Sequence, residues 1–309
     1  MDIIILGAAG FIGTNLALTL AKKKHNAITL VDQKIEYFHD DLKQFDNITL
    51  KQSDFSMTTD FKALVKNHDI VYHLVSTNIP STSGFNIPKE LEANITVTAK
   101  LLDACVAEGV RKVVFMSSGG TVYGKQLECP LQEHVPALPI SSYGLQKLTI
   151  ENLLYMYNYM YNIDYRVIRL ANPYGPYQRP NGKLGAVTTF TYKAIKNEPI
   201  ELYGDGSVVR DFIYIQDAID AIITVAEGED YHKIFNIGSG KGTSIKELLA
   251  LIEETLEIEL TIHHHEGRKA DVPVNYLDIK RYESRYGQLN HHSLKEGILL
   301  TKKYLEENY

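Results

Sequence analysis

Residues 1–32 read MDIIILGAAGFIGTNLALTLAKKKHNAITLVD, and the reading of this opening decides the fold. The run IIIL at 3–6 is short and mostly β-branched, as a strand buried on both faces requires. It leads directly into GAAGFIG, with glycines at 7, 10 and 13, and then into IGTNLALTLAKK, whose apolar spacing predicts a helix. Each glycine has a task in that setting. Gly7 permits the tight strand-to-helix turn, Gly10 lets backbone approach a pyrophosphate, and Gly13 lets the helix pack on the sheet. Phe11 and Ile12 then open the helix, where N–H groups without intrahelical partners face an anion. A second strand, AITLVD at 27–32, ends on Asp32, nineteen residues beyond Gly13. Its carboxylate suits an adenosine ribose diol and repels a 2'-phosphate, so the expected cofactor is NAD rather than NADP.

The pattern continues outward from there. Strand-like runs recur at NITL (47–50), DIVYHL (69–74), KVVFMSS (112–118) and DYRVIRL (164–170), with helical stretches such as ELEANITVTAKLLDACVAEG between several of them. This alternation argues an α/β fold with a Rossmann-like, doubly wound parallel sheet covered on both faces. From about residue 171 clusters of Pro, Gly and Tyr (NPYGPYQRPNGKLG, YGDGSVVRDF) change the rhythm, before helices return at IQDAIDAIITVAEG and SIKELLALIEETL. The expected division is an NAD-binding domain over 1–170 and a smaller C-terminal α/β substrate-binding domain over 171–309, with segments such as 208–238 packing back on the first. No stretch reads as a flexible linker, so packed domains with a cleft are expected.

Composition narrows the class. The 309 residues, 44% hydrophobic and 23% charged, suit a soluble globular chain of one large or two modest domains. A net charge of -6 offers no field to attract nucleic acid or anionic lipid, so any anionic ligand must be held by local groups. Cys105 and Cys129 form neither a metal spacing nor a disulfide framework, which fits a reducing cytoplasm. MDIIILGAAG lacks a basic leader and its apolar run is too short for a bilayer, so neither export nor a membrane is expected. The HHH run at 263–265 lies in an expected strand that alternates faces, and it reads as incidental rather than as a metal site.

The stretch SSYGLQKLTIE at 141–151 sets Tyr143 and Lys147 four residues apart on one helical face. Such pairs arise by chance on any helix. A phenol acting as base near neutral pH must fall about three units from its usual value, roughly 4 kcal/mol of preferential phenolate stabilisation. A nearby ammonium together with the positive charge of an oxidised nicotinamide can supply that much.

With these residues in place the chain resembles an extended short-chain dehydrogenase/reductase of the NAD-dependent sugar-nucleotide epimerase/dehydratase family, closest in type to the 4-epimerases of UDP-hexoses. The resemblance covers nearly the whole length: GAAGFIG, Asp32, SDF at 53–55, YHLVS at 72–76, Asn94, SSGGTVYG at 117–124, YGLQK, RLANPYGPYQ, LYGDGSVVRDFIYIQDAIDA, FNIGSGKGTSIKEL and RKADVP. It implies that Asp54 and Phe55 contact adenine, that Leu74, Val75 and Ser76 lie under the pyrophosphate, and that Asn94, Ser117 and Pro173 complete the cofactor set. Tyr143 would take the proton of a sugar hydroxyl, and Lys147 would hold the phenol in its reactive state. Asn172, Arg210, Arg268 and Asp271 match positions on the substrate diphosphate side, and Gln178, Arg179 and Val187 match the sugar side of the cleft. Taken singly, Arg210/Asp211 reads as no more than a surface ion pair.

One position departs from the family. The strand end before VYG often carries a hydroxyl that hydrogen-bonds the reacting sugar oxygen, and here it is Gly119. Ser117, Ser118 and Thr121 are the candidates to replace it, with Ser118 and Thr121 preferred. Dehydratases of the family carry an Asp-Glu pair at the two positions before VYG, and decarboxylases a Glu at the second; this chain has Gly120 and Thr121. Epimerisation, which needs no such carboxylate, is the expected reaction, with a dehydratase or reductase as the alternative and a non-catalytic redox-sensing module as the alternative of another class. Asn275, smaller than the aromatic that excludes N-acetylated sugars in some relatives, implies tolerance of UDP-GlcNAc and UDP-GalNAc. Aromatics and methionines spread around LTIENLLYMYNYMYN, beyond one core stripe, fit either a helix buried on several sides or, as the resemblance implies, a homodimer in which this helix and ELEANITVTAKLLDACV pair with their symmetry copies.

Overall fold

The computed structural model describes residues 1–80, 82–180, 185–267, 272–289 and 291–309. The chain clusters into two compact units. The first comprises Met1–Gly124, Ala137–Arg169 and Ile222–Phe235, and the second comprises Lys125–Pro136, Leu170–Ala221 and Asn236–Tyr309. Both are therefore discontinuous in sequence.

In the first unit the chain runs β1 (Asp2–Leu6), α1 (Phe11–Ala21), β2 (Ala27–Asp32), β3 (Ile48–Gln52), α2 (Phe61–Val65), β4 (Ile70–His73), α3 (Ile87–Leu91), α4 (Val97–Ala107), β5 (Lys112–Ser118), α5 (Ser142–Tyr161) and β6 (Asp164–Leu170). The second unit is built on β7 (Asn172–Tyr174), α6 (Ala186–Ile195), β8 (Ile200–Tyr203), β9 (Val209–Arg210) and β10 (Phe212–Tyr214). Then come α7 (Ile215–Glu227) and β11 (Ile234–Ile237), followed by β12 (Thr243–Ser244), α8 (Ile245–Leu256), β13 (Ile262–His265), β14 (Val274–Asn275), α9 (Lys280–Tyr286) and α10 (Leu294–Asn308).

Seven strands form one sheet in the order β11-β6-β5-β4-β1-β2-β3, the doubly wound Rossmann-like order expected from the sequence. The β1 register is parallel to β2 on one side, with Ile5 beside Leu30, and parallel to β4 on the other, with Ile5 beside Tyr72. Helices cover both faces, so Ile3, Ile4 and Ile5 are all fully buried, and the aliphatic run that marked this strand is explained by its position. Strand order reverses between β1 and β4, which makes their carboxyl ends the place where such sheets take ligands. The main core of this unit joins Val71, Val113 and Phe115 of the sheet to Leu101 and Cys105 of α4 and Ile150 and Leu154 of α5. Each such aliphatic side chain contributes about 1.5–3 kcal/mol when buried, and together they fix α5 on the sheet. Between α3 and α4 the helix opens into a π turn, Glu92–Thr96, that carries Asn94. Such turns re-aim a side chain inside an otherwise regular helix.

The second unit has smaller sheets: β7 with β10, β8 with β13, and β12-β9-β14. Its core includes Ile200, Leu202 and Leu249, with Phe190 and Ile262 packed against them. Ser244 with Glu247 and Ser293 with Glu296 form capping boxes that start α8 and α10. The histidine run forms β13 and alternates faces as expected: His263 and His265 both reach Glu201 of β8. Among the described residues no helix is long and apolar enough to cross a membrane.

A Cβ at Gly13 would lie 2.6 Å from both Cα and O of Ala8 and 2.7 Å from O of Gly7, all of them backbone atoms. Gly13→Ala is therefore expected to destabilise by overpacking, at about 1–3 kcal/mol. Urea unfolding checks this, with a lowered midpoint expected; an unchanged midpoint means that α1 does not need this close approach.

Candidate active site

The glycine turn sits against the ends of three strands. Gly7 has φ +81, a left-handed value that glycine adopts without strain, and a Cβ there would come 3.2 Å from N of Val75. Its N–H and that of Ala8 donate to O of Val31 at 2.9 and 3.1 Å. The Asp32 carboxylate accepts from the N–H of Ala9 at 2.9 Å and of Gln33 at 2.8 Å, so the turn itself orients it. Ser53 donates its N–H to O of Asp32 at 3.0 Å, which brings Asp54 and Phe55 beside it. Asp54 is exposed, and Phe55 packs on Phe61 and His73 with ring centroids 5.4 and 5.0 Å apart. Leu74 continues β4 by donating to O of Leu6 at 3.0 Å. Gly7, Asp32, Phe55, Leu74 and Val75 are thus assembled along the carboxyl ends of β1, β2 and β4.

The turn also fits the expected ligand. A Cβ at Gly10 would meet nothing nearer than O of Gly7 at 3.5 Å, an ordinary contact, and no side chain caps the N-terminus of α1. Open space over uncapped N–H groups at Phe11 and Ile12 suits a dinucleotide pyrophosphate. Asn94 plays a supporting part. Its Oδ1 accepts from Thr77 N–H at 3.0 Å, while Nδ2 donates to Thr77 Oγ1 at 2.7 Å and to O of Glu90 at 3.0 Å. It thereby fixes the turn after β4, where Ser76 Oγ donates to O of Asn78 at 2.9 Å.

The α5 helix begins at Ser141, whose Oγ accepts from Gly144 N–H at 3.1 Å. A Cβ at Gly144 would stand 2.6 Å from O of Thr121, so only glycine lets this first turn lie against the Thr121 backbone. Lys147 is buried, its Nζ donating to O of Met116 at 2.8 Å and lying 4.8 Å from the Phe115 ring centroid and 5.5 Å from that of Tyr143. Burial pulls the ammonium down to about 8, and the Glu151 carboxylate opposes that shift. Burial pushes the Tyr143 phenol up to about 12. The expectation paired the lysine with the positive charge of an oxidised nicotinamide, and the lysine by itself does not lower the phenol. At this separation desolvation outweighs one ammonium.

Around the pair, Ser117 donates its hydroxyl to Glu151, which Arg169 grips at 2.6 Å through Nη2 and at 3.2 Å through Nε. Ser117, Glu151 and Arg169 are all buried, and the guanidinium lies 4.8 Å from the Tyr123 ring centroid. Glu151 went unnoticed in the sequence, although the 143/147/151 spacing placed it on the same helical face. Ser118 ends β5 half-buried, Gly119 is buried in the turn that follows, and the Thr121 Oγ1 is buried without a hydrogen-bond partner.

In the second unit three expected substrate residues come together. Asn172 donates to O of Asp211 through both backbone N (3.0 Å) and Nδ2 (2.8 Å). Arg210 sits opposite Asn275 in the β9–β14 register, and its Nη1 donates to O of Val209 at 2.9 Å and of Val272 at 2.7 Å. Asp211 is fully buried and not a surface ion-pair partner. Burial raises its carboxyl, opposed by hydrogen bonds from Ser239, Leu277 and Gly240. Gln178 donates to O of Pro173 at 3.2 Å and accepts from Thr188, while Val187 is fully buried on α6 and Arg179 is exposed. Arg268 and Asp271 lie outside the described residues.

A glycine turn, a strand-ending aspartate and a helical Tyr/Lys pair on one Rossmann sheet define a short-chain dehydrogenase/reductase. Comparison with known proteins narrows this. The sequence profile described as NAD dependent epimerase/dehydratase family matches residues 3–238. A putative UDP-glucose 4-epimerase of Methanocaldococcus jannaschii is 31% identical over 316 residues, with 99% of each chain covered. A dTDP-4-dehydro-6-deoxyglucose reductase of Escherichia coli is 33% identical over 303 residues, covering 96% of this chain and 95% of that one. The solved UDP-glucose 4-epimerase of Thermotoga maritima, in complex with UDP-glucose, matches with TM-score 0.91 at 30% identity and 99% coverage of both chains. The chain belongs to the NAD-dependent epimerase/dehydratase family, and its cofactor is NAD.

The buried ammonium carries a measurable signature. Because the folded value for Lys147, about 8, lies below its usual 10.5, folding is penalised in full below pH 8 and the penalty fades as pH rises toward 10.5. Lys147→Met removes that penalty. The melting temperature of the variant relative to the ligand-free wild type is expected to be most favourable at pH 7 and to lose ground by pH 9.5. A difference that does not change with pH would show that the ammonium is not desolvated.

Proposed function

We propose that the protein interconverts C4 epimers of a UDP-hexose through a transient 4-keto sugar. The observation that carries this reading is the segment between β5 and α5. It holds no carboxylate at Gly120 or Thr121, where the expected elimination and decarboxylation groups would stand, and it sets a partnerless buried hydroxyl, Thr121 Oγ1, beside the first turn of the helix bearing Tyr143. Bound NAD supplies reversible hydride acceptance. The chain's own residues manage the proton: Tyr143 Oη takes it from the 4-hydroxyl, holds it while the keto sugar turns, and returns it to the alkoxide formed on the opposite face. Thr121 is the hydroxyl that replaces the one missing at Gly119, with Ser118 the other candidate. Arg210 and Arg268 hold the diphosphate by charge-assisted hydrogen bonds and leave the sugar free to rotate. Asn275 is smaller than the aromatic that excludes N-acetylated sugars in some relatives, so UDP-GlcNAc and UDP-GalNAc are proposed as substrates alongside UDP-Glc and UDP-Gal.

A second reading, a nucleotide-sugar reductase, is favoured by the 33% identity to the Escherichia coli reductase. Net consumption of reduced cofactor separates the two, because an epimerase consumes none. The test is incubation with each UDP-sugar without added reductant, followed by chromatographic separation. A mixture of epimers is expected, whereas loss of water, net reduction of the cofactor or unchanged substrate would remove the epimerase reading. Tyr143→Phe should bind nucleotide sugar nearly normally and lose at least about 10²-fold in kcat; retained turnover means that another group is the base.

The active form is proposed to be a homodimer. Leu145, Tyr155, Met156, Tyr159 and Met160 of α5 are all exposed. Light scattering at micromolar concentration is expected to give twice the chain mass, and a monomer excludes this interface.

A further inference from the structure

One carboxylate is explained by neither the cofactor turn nor the Tyr/Lys pair. Glu90, on α3, is half-buried and points both its oxygens at donors. Its Oε2 accepts from Ser142 Oγ at 2.6 Å, Gln146 Nε2 at 3.2 Å and Asn78 Nδ2 at 2.9 Å. Its Oε1 accepts from the N–H of Gly84 at 2.9 Å and of Asn86 at 3.4 Å. Ser142 and Gln146 are bonded to each other at 2.9 Å and immediately precede Tyr143 and Lys147. One side chain therefore grips the ridge of α5 that runs alongside the catalytic ridge and ties it to the chain leading out of β4.

We propose that Glu90 is a positioning residue for Tyr143 and Lys147: it sets the rotation of the first turns of α5, and the proposed proton transfer depends on that rotation. The inference rests on the reading of Tyr143 as base. Three features support it. Ser142 and Gln146 are nine-tenths buried or more, so few other partners compete for them. The amides of Asn78 and Gln146 both turn their nitrogen to Glu90, and both leave their oxygen buried without a partner. An unsatisfied buried acceptor is costly, so the carboxylate dictates both orientations. The hydrogen bond from Ser142, first among several, also holds the Glu90 carboxyl below its usual range. A phenol oxygen stands far from its helix axis, so a slight rotation moves it by about 1 Å, and misplacement of that order can cost about 10²-fold in rate.

Two variants of the full chain test the latch. Glu90→Ala removes every bond and should lower kcat about 10- to 100-fold while KM for the nucleotide sugar stays within about 3-fold. Glu90→Gln should recover kcat to within about 5-fold of wild type, because Asn78 and Gln146 can flip their orphan oxygens toward the new amide. Hydrogen exchange is read in parallel. In Glu90→Ala the amides of 142–147 should exchange faster, with β1 and β5 unchanged. Turnover of Glu90→Ala within 2-fold of wild type, a loss confined to KM, or a Gln variant no better than the Ala variant would overturn the inference. If wild type converts no UDP-hexose, the proposed function falls instead, and exchange alone decides the latch: unaltered protection at 142–147 removes it. Should Glu90→Ala fail to fold, the double variant S142A/Q146A deletes the α5 side of the same bonds and is judged by the same results.

Discussion

The site rests on the burial of one ammonium. Lys147 has left water with the Met116 carbonyl as its hydrogen-bond acceptor among the described residues, at 2.8 Å, and an aromatic face, Phe115, beside it. A charge in that position is tolerated only when neighbours offset its desolvation. The neighbour that does so is Glu151, one turn further along α5, itself held by Arg169 and Ser117. Among the described residues of this cluster two cations thus share one carboxylate. That imbalance is unfavourable in the resting protein and is relieved by any anion that forms beside Lys147, such as a phenolate.

Tyr143 supplies the place for that anion. In the structure burial pushes its phenol up to about 12, so the resting residue is protonated and the ammonium does not suffice to ionise it. A reversible base needs such a resting state, because a phenolate too stable would keep the proton's place empty and one too unstable would never take it. In the proposed reaction the remaining stabilisation falls to the positive charge of the oxidised nicotinamide, which would couple proton transfer to the presence of cofactor. Close backbone contacts keep this geometry tight. Gly13 sets α1 on the Gly7–Ala8 turn, and Gly144 sets α5 on the Thr121 backbone, each at a distance that a methyl group would violate.

Much of this was legible in the sequence, for physical reasons that can be named. Strands at 27–32, 112–118 and 164–170 coincide with the β-branched runs because both faces of a parallel sheet are apolar, and nothing else competes for those residues. The placement of Asp32, Tyr143 and Lys147 was legible because their spacing is fixed by local geometry, a turn or a helix. Glu90, Glu151 and Asp211 were overlooked or underrated because their partners lie far away in sequence: Glu90 bonds Ser142 across 52 positions and Asp211 bonds Leu277 across 66. No periodicity records such meetings. Asn94 was noticed as a site residue, but its bonds to Thr77 depend on a π turn that the apolar spacing does not announce. The extent to which burial raises the phenol was not legible either, since proximity to a lysine can be read from spacing while desolvation cannot.

The proposed reaction turns on when the Tyr143 phenol ionises. The direct measurement is NMR titration of 13C-labelled tyrosine, with the Tyr143 signal assigned by its loss in Tyr143→Phe, in the ligand-free and NAD-saturated protein. Without nucleotide the phenol should stay protonated to near its value of about 12, and with NAD bound it should titrate several units lower, toward neutrality. A titration at the same pH in both states would contradict the claim that cofactor charge and buried ammonium together make this tyrosine a base.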